Sequence, residues 1–235
     1  MAFDLEEQEQ IANLKAWWTS VGRWVAVGAA VILLGYFSYK MFGKYQDSVA
    51  GKASQVYETL IVAAANKDLP KVEKIAQQIQ ADYSSTAYAG MAGLVSANLL
   101  ADTGNVDGAM KQLRWVEDKA STEGMRNIAR SRLVLSLLDK GSADAINEAD
   151  QLLKKSAAAG FEALMLERRG DWYLVQGKKE DALKSYREAW DVLSKAKAKA
   201  YGQKEVDPVI RDLEKRNPDE TQRLLKVKID SLGGF

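Results

Sequence analysis

Residues 170–190 read GDWYLVQGKKEDALKSYREAW, and this run decides the fold. On one side of it Trp172, Tyr173, Leu174 and Val175 end an apolar helical pattern; on the other, Leu183, Tyr186, Ala189, Trp190 and Leu193 fall on one helical face. Between them Gln176-Gly177-Lys178-Lys179 is a turn signal. The run is therefore a helix, a tight turn and a second helix.

The same arrangement recurs upstream. Turn signals stand at Asn66-Lys67-Asp68, Asp102-Thr103-Gly104-Asn105 and Asp139-Lys140-Gly141-Ser142. Gly104, Gly141 and Gly177 are 37 and 36 residues apart, and Val72, Ala109, Ala145 and Ala182 keep intervals of 37, 36 and 37. A helix-pair period a little above 34 residues is the mark of tetratricopeptide arrays lengthened by insertions. The unit with Gly170, Tyr173, Gly177, Ala182, Tyr186 and Ala189 resembles such a repeat, with Arg169 where leucine is usual. In these repeats small residues let the two helices cross closely and aromatic rings fill the gaps. The second unit matches less well, with Ala97, Leu100, Gly104, Ala109, Leu113 and Val116. The first and third match less again, and the third reads as one residue out of step. A repeat cannot bury its apolar face alone, so four in succession support one another.

The expected fold is all-α: one N-terminal transmembrane helix followed by a tetratricopeptide-like solenoid. Residues 1–16 are expected to form a short acidic tail and 17–45 the transmembrane helix with its aromatic flanks. Residues 46–235 are the repeat domain, with about four units over 53–200. Asp207-Pro208 and Asn217-Pro218 each pair a helix N-cap with a first-turn proline, and Leu224, Leu225, Val227, Ile229 and Leu232 follow. These predict short C-terminal helices capping the array.

The membrane segment centres on Val25–Leu34, VAVGAAVILL, inside an apolar stretch from Trp24 to Phe42. About 20 helical residues cross a bilayer core. Trp17, Trp18 and Trp24 flank one end and Tyr36, Tyr39 and Tyr45 the other, as interfacial belts do. Lys40 lies near enough to an end to extend its amine to the headgroups. Unbroken apolarity with charged ends argues against a buried core helix. Ser48-Val49-Ala50 has the form of a signal-peptidase site, but Asp4, Glu6, Glu7 and Glu9 give the preceding segment the wrong charge for a signal peptide. An uncleaved anchor follows. Lys15 and Arg23 on one side nearly balance Lys40, Lys44 and Lys52 on the other, so charge leaves the orientation open. Gly22, Ala26 and Ala30, four apart, form a candidate packing face for another membrane helix, or simply the small residues common in such spans.

Composition narrows the chemistry. The chain has no cysteine and no histidine, which removes disulfides, thiolate nucleophiles, Ser–His triads and zinc bound by nitrogen or sulfur. No motif for a carboxylate enzyme stands out, so no enzyme and no cofactor are expected. A net charge of +1 lacks the basic excess typical of nucleic-acid binders.

Acidic tail, tryptophan-flanked span, four degenerate repeats and the ending Leu224-Leu225-Lys226-Val227-Lys228-Ile229-Asp230 together resemble the bacterial ancillary subunit of the SecYEG translocon, a tetratricopeptide-like inner-membrane family. The resemblance covers essentially the whole chain. It implies a cytoplasmic N-terminus, a periplasmic repeat domain, and contact with the SecYEG channel and with a membrane-anchored periplasmic chaperone of prolyl-isomerase type. It implies a scaffold beside the channel that touches emerging chains; an anchored assembly factor for another membrane complex is the alternative. Repeat arrays bind peptides on the face lined by the first helix of each pair. Counted from the aligned turns, that face carries Tyr57, Ile61, Met91, Leu94, Asn98, Arg130, Val134, Glu167, Asp171 and Leu174. Some of these could instead pack against the tail helix. Glu167 and Asp171 in the fourth unit, and Tyr57 and Ile61 in the first, do not make the lysine/asparagine/arginine clamp that grips chaperone C-termini.

A fragment beginning at Gly51 lacks the apolar span. It is expected to stay soluble without detergent and to give a helical circular dichroism spectrum; a sheet-rich spectrum or aggregation would contradict the repeat reading.

Overall fold

The computed structural model describes residues 3–200 and 220–235. Its helices are α1 (Phe3–Trp17), α2 (Arg23–Ala65), α3 (Leu69–Asp82), α4 (Ala87–Asp102), α5 (Val106–Lys119), α6 (Glu123–Lys140), α7 (Ala143–Lys154), α8 (Glu162–Val175), α9 (Lys179–Ala200) and α10 (Glu220–Ser231). Among the described residues there is no strand, so the all-α expectation holds. The expected helix starts at Asp207-Pro208 and Asn217-Pro218 lie outside the described residues.

The chain divides into two units, 1–52 and 53–235. In the first, one helical stretch is long and apolar enough to cross a membrane. Its large side chains point outward: Trp24, Leu34, Phe37 and Tyr39 are all exposed. A π-helical turn, Trp18–Gly22, separates α1 from α2. There the Trp17 and Trp18 rings fold over Gly22, where an added Cβ would sit 2.9 Å and 2.7 Å from them. Gly22 is therefore buried, while Ala26 and Ala30 are exposed. The expected stripe of three small residues is corrected to two, because the glycine face is already filled by the chain's own tryptophans.

In the second unit the helices pair as the sequence rhythm predicts. The end of α2 packs with α3, α4 with α5, α6 with α7 and α8 with α9, through three apolar clusters centred on Leu60 and Ile79, on Leu133 and Leu137, and on Tyr186 and Trp190. The amphipathic second helices each bury one stripe, such as Val72, Ile75, Ala76 and Ile79 on α3. Each first-to-second turn is built around one left-handed residue: Lys67 (φ 55°), Gly104 (φ 82°), Gly141 (φ 64°) and Gly177 (φ 75°). At 67, 104 and 177 the turn residue donates to the carbonyl three back and its successor to the carbonyl five before itself, a Schellman closure. The next residue then caps the second helix in the first three turns: Asp68, Asn105 and Ser142 accept from the backbone amides of Lys71, Gly108 and Ala145. The turn therefore stops one helix and starts the next within two residues.

The fourth unit closes most tightly. A Cβ at Gly170 would overlap the Tyr186 ring, so helices α8 and α9 meet at glycine against tyrosine. The last helix, α10, packs Leu225 and Ile229 into the same cluster, and Phe235 stacks edge-on against Trp190 at 5.0 Å between centroids.

Gly170→Ala is expected to lower the stability of the repeat unit by about 1–3 kcal/mol through overpacking, read as a drop in the urea midpoint. Turn substitutions should show opposite signs. Gly104→Ala places a Cβ in a left-handed residue and is expected to cost about 1 kcal/mol, whereas Lys67→Gly removes one and is expected to stabilise by up to about 1 kcal/mol.

Candidate partner-binding face

Counting back from the four turn residues locates the face. Six before 67, 104, 141 and 177 stand Ile61, Asn98, Leu135 and Asp171; ten before stand Tyr57, Leu94, Ser131 and Glu167. Ile61 and Asn98 are exposed, and Tyr57, Met91, Leu94 and Leu135 are half-buried. The Tyr57 ring lies 5.5 Å from that of Tyr88; burial, and then the neighbouring Tyr88, push its phenol above the ordinary value. Leu94 and Asn98 border a hollow of about 490 Å³, completed by Ala64 at the end of α2, Lys67 in the turn after it, Val95, Leu99 and Asp102 on α4, and Ile128 and Arg132 on α6. A second hollow, about 320 Å³, shares Asn98 and Arg132 and continues past Ala97, Ala101, Leu113, Leu135 and Ser136. The two adjoin at Asn98 and Arg132 and form a groove between α4 and α6, bordered by the end of α2 and by Ala109 and Leu113 of α5.

The third unit is not out of step. Arg130 and Val134, assigned to the face by a one-residue slip, lie elsewhere. A slip of one residue rotates a side chain by about 100° around a helix. Val134 is fully buried in the core. Arg130 is buried too, its guanidinium 3.3 Å from Glu117 and donating at 2.9 Å to the Ser156 carbonyl. Lys155 completes this inner ion cluster, 2.8 Å from Glu117.

The fourth unit's share of the face is occupied from within. Lys228 of α10 places its Nζ 2.7 Å from Glu167 and 2.6 Å from Asp171, above the Tyr186 ring at 5.4 Å. From the other side Arg168 reaches Asp171 at 2.5 Å and donates to Ser131 at 2.9 Å. The Tyr186 hydroxyl donates to Asp171 at 2.7 Å. Burial first, then that bond, push the Tyr186 phenol far above its usual range. Glu167 and Asp171 thus hold the tail helix, and only Leu174, 40% exposed at the end of α8, remains open there. Sequence reasoning missed Lys67, Val95, Asp102, Ile128 and Arg132. The beat of the turn residues would have given Leu135, since the position needed only the uncorrected count.

Among the described residues no group of three or more acidic side chains is placed to hold a metal ion. What the groove offers is apolar surface interleaved with the polar and charged groups of Lys67, Asn98, Asp102 and Arg132 along an extended path, which suits a polypeptide segment.

A tetratricopeptide repeat-like domain family matches residues 15–234. The chain is 30% identical to the ancillary SecYEG translocon subunit of Neisseria gonorrhoeae over 235 residues, 99% of this chain and 100% of that protein. The subunit of the same name from Haemophilus influenzae is 28% identical, over 80% of this chain and 91% of its own length. That of Escherichia coli is 23% identical, over 79% and 85%. No solved structure matches. With the repeat-like family spanning both the apolar helix and the paired helices, and a translocon subunit aligned end to end, the chain belongs to the tetratricopeptide-like family of ancillary SecYEG translocon subunits.

Proposed function

We propose that this protein is a membrane-anchored scaffold of the Sec translocon, whose repeat domain holds a periplasmic partner beside the channel. The observation that carries the reading is the open groove over units one to three, in a chain whose N-terminal helix is long and apolar enough to span a membrane. The relatives are named ancillary translocon subunits, and a repeat fold of this kind is non-catalytic. An inner-membrane location agrees with the same two features. In this reading the N-terminus is cytoplasmic and the repeat domain periplasmic. The groove receives a segment of a membrane-anchored chaperone of prolyl-isomerase type and touches chains leaving the channel. The residues assigned to that contact are Tyr57, Ile61, Met91, Leu94, Asn98 and Leu174, while Ala26 and Ala30 are assigned to packing against another membrane helix.

Contacts between helices in lipid lack a hydrophobic drive, so the span alone gives modest affinity. Both parts are expected to contribute. Replacing residues 17–45 by an unrelated apolar helix should weaken co-purification with the channel from solubilised membranes, and deleting the repeat domain should abolish co-purification of the chaperone. An anchor that retains the chaperone without its repeats would refute the scaffold reading.

A further inference from the structure

The groove has a charge pattern that the apolar reading does not use. Lys67 and Arg132 both line it, both are exposed, and neither has an ion-pair or hydrogen-bond partner for its side chain among the described residues. Asp102 is the one acidic residue on the same wall, leaving a surplus of one positive charge. The neighbouring cations behave differently: Arg114 is bound to Glu148 at 2.6 Å, Lys140 to Asp107 at 2.9 Å, and Arg130 and Lys155 to Glu117. Of the other cations that line a hollow, Arg126 donates to the Ala120 carbonyl and Arg130 to the Ser156 carbonyl.

Lys67 adds a second, independent observation. Three of the four repeat turns place glycine at the left-handed position; the first places lysine there, at φ 55°. A side chain with a Cβ is disfavoured in that conformation. The helix dipole favours a cation anywhere in the last turn of α2, so it does not account for this position in particular. Non-glycine residues held in disfavoured backbone regions cluster at ligand-binding and switch sites. At this site the side chain faces the groove.

We propose that the groove binds an apolar polypeptide segment bearing one internal aspartate or glutamate, whose carboxylate is held between Lys67 and Arg132. The proposal rests on the scaffold reading and gives its groove a ligand chemistry. Arg132 and Asn98 border both hollows, so a segment laid in the groove passes over them with space for apolar residues on either side. That places the acid within the segment, not at its end. Leu94 and Ile128 supply the apolar wall, and the Asn98 amide can donate to the same carboxylate. Asp102 opposes a second acid nearby.

The test uses the full-length protein in neutral detergent and fluorescence anisotropy of three dye-labelled peptides. All are short alternations of leucine and serine. One carries a central glutamate and an amidated C-terminus, one a central glutamine with the same amide, and one a central glutamine with a free C-terminal carboxylate. The glutamate peptide is expected to bind about fivefold more tightly than its glutamine twin at low salt, and the margin to shrink as salt rises. Lys67→Gly, which relieves the backbone, and Arg132→Gln should each cut the preference to about twofold or less, while Lys67→Arg preserves it. Equal binding of the glutamate and glutamine peptides overturns the proposal. So does an unchanged preference in both charge-removing variants, or equal binding of the peptide with only a terminal carboxylate. If the channel still co-purifies with Lys67→Gly while the peptide preference was never present, the carboxylate site is wrong and the scaffold reading stands.

Discussion

One backbone position in each helix pair carries a constraint that shapes the whole repeat domain. At residues 67, 104, 141 and 177 the chain takes a left-handed conformation, closes one helix and starts the next. An unpaired buried amide or carbonyl costs free energy comparable to a lost hydrogen bond. The turn satisfies carbonyls of the finished helix while the following Asp68, Asn105 or Ser142 satisfies an amide of the new one. Because all four turns share the left-handed residue at the same place in the pair, each second helix folds back on its first helix and turns its apolar stripe toward the core. The groove and the buried Glu117–Arg130 pair are placed by this repetition.

Much of that was legible before any coordinates. Three turn positions are glycines, and the spacing of 37 and 36 shows them directly. The fourth is lysine, which carries no signal of left-handed geometry; only its place, 37 residues before Gly104, reveals it. The third unit shows how a correct rhythm can be misread. Its helices lack the aromatic residues that mark the fourth, so a one-residue slip went unopposed, and Arg130 and Val134 were turned toward the groove when they face inward. The fold reading survived the slip, since the helix pair and its turn at Gly141 do not depend on it; the site did not.

The tail and the membrane helix were harder for a different reason. Glu167 and Asp171 meet Lys228 across 61 and 57 residues of chain. Nothing in a local pattern says which partner lies at that distance, so the sequence leaves open which of the face residues the tail helix covers. Gly22 was read by its interval of four from Ala26, but a π-helical turn ends at that residue and brings Trp17 and Trp18 over it. Periodicity counts residues on an ideal helix and cannot see where the winding changes.

The contact of α10 with the fourth unit has a consequence for how the array ends. A stack of identical repeats has two raw faces, and each could accept another molecule's repeat and propagate into a filament. Here the last face is sealed by α10, whose lysine supplies the second cation to a pair of partly desolvated carboxylates that would otherwise share Arg168 alone. The seal is therefore electrostatically selective. An intruding repeat offering only leucines would leave two carboxylates sharing the single charge of Arg168, so the same residues that anchor the tail also discourage polymerisation.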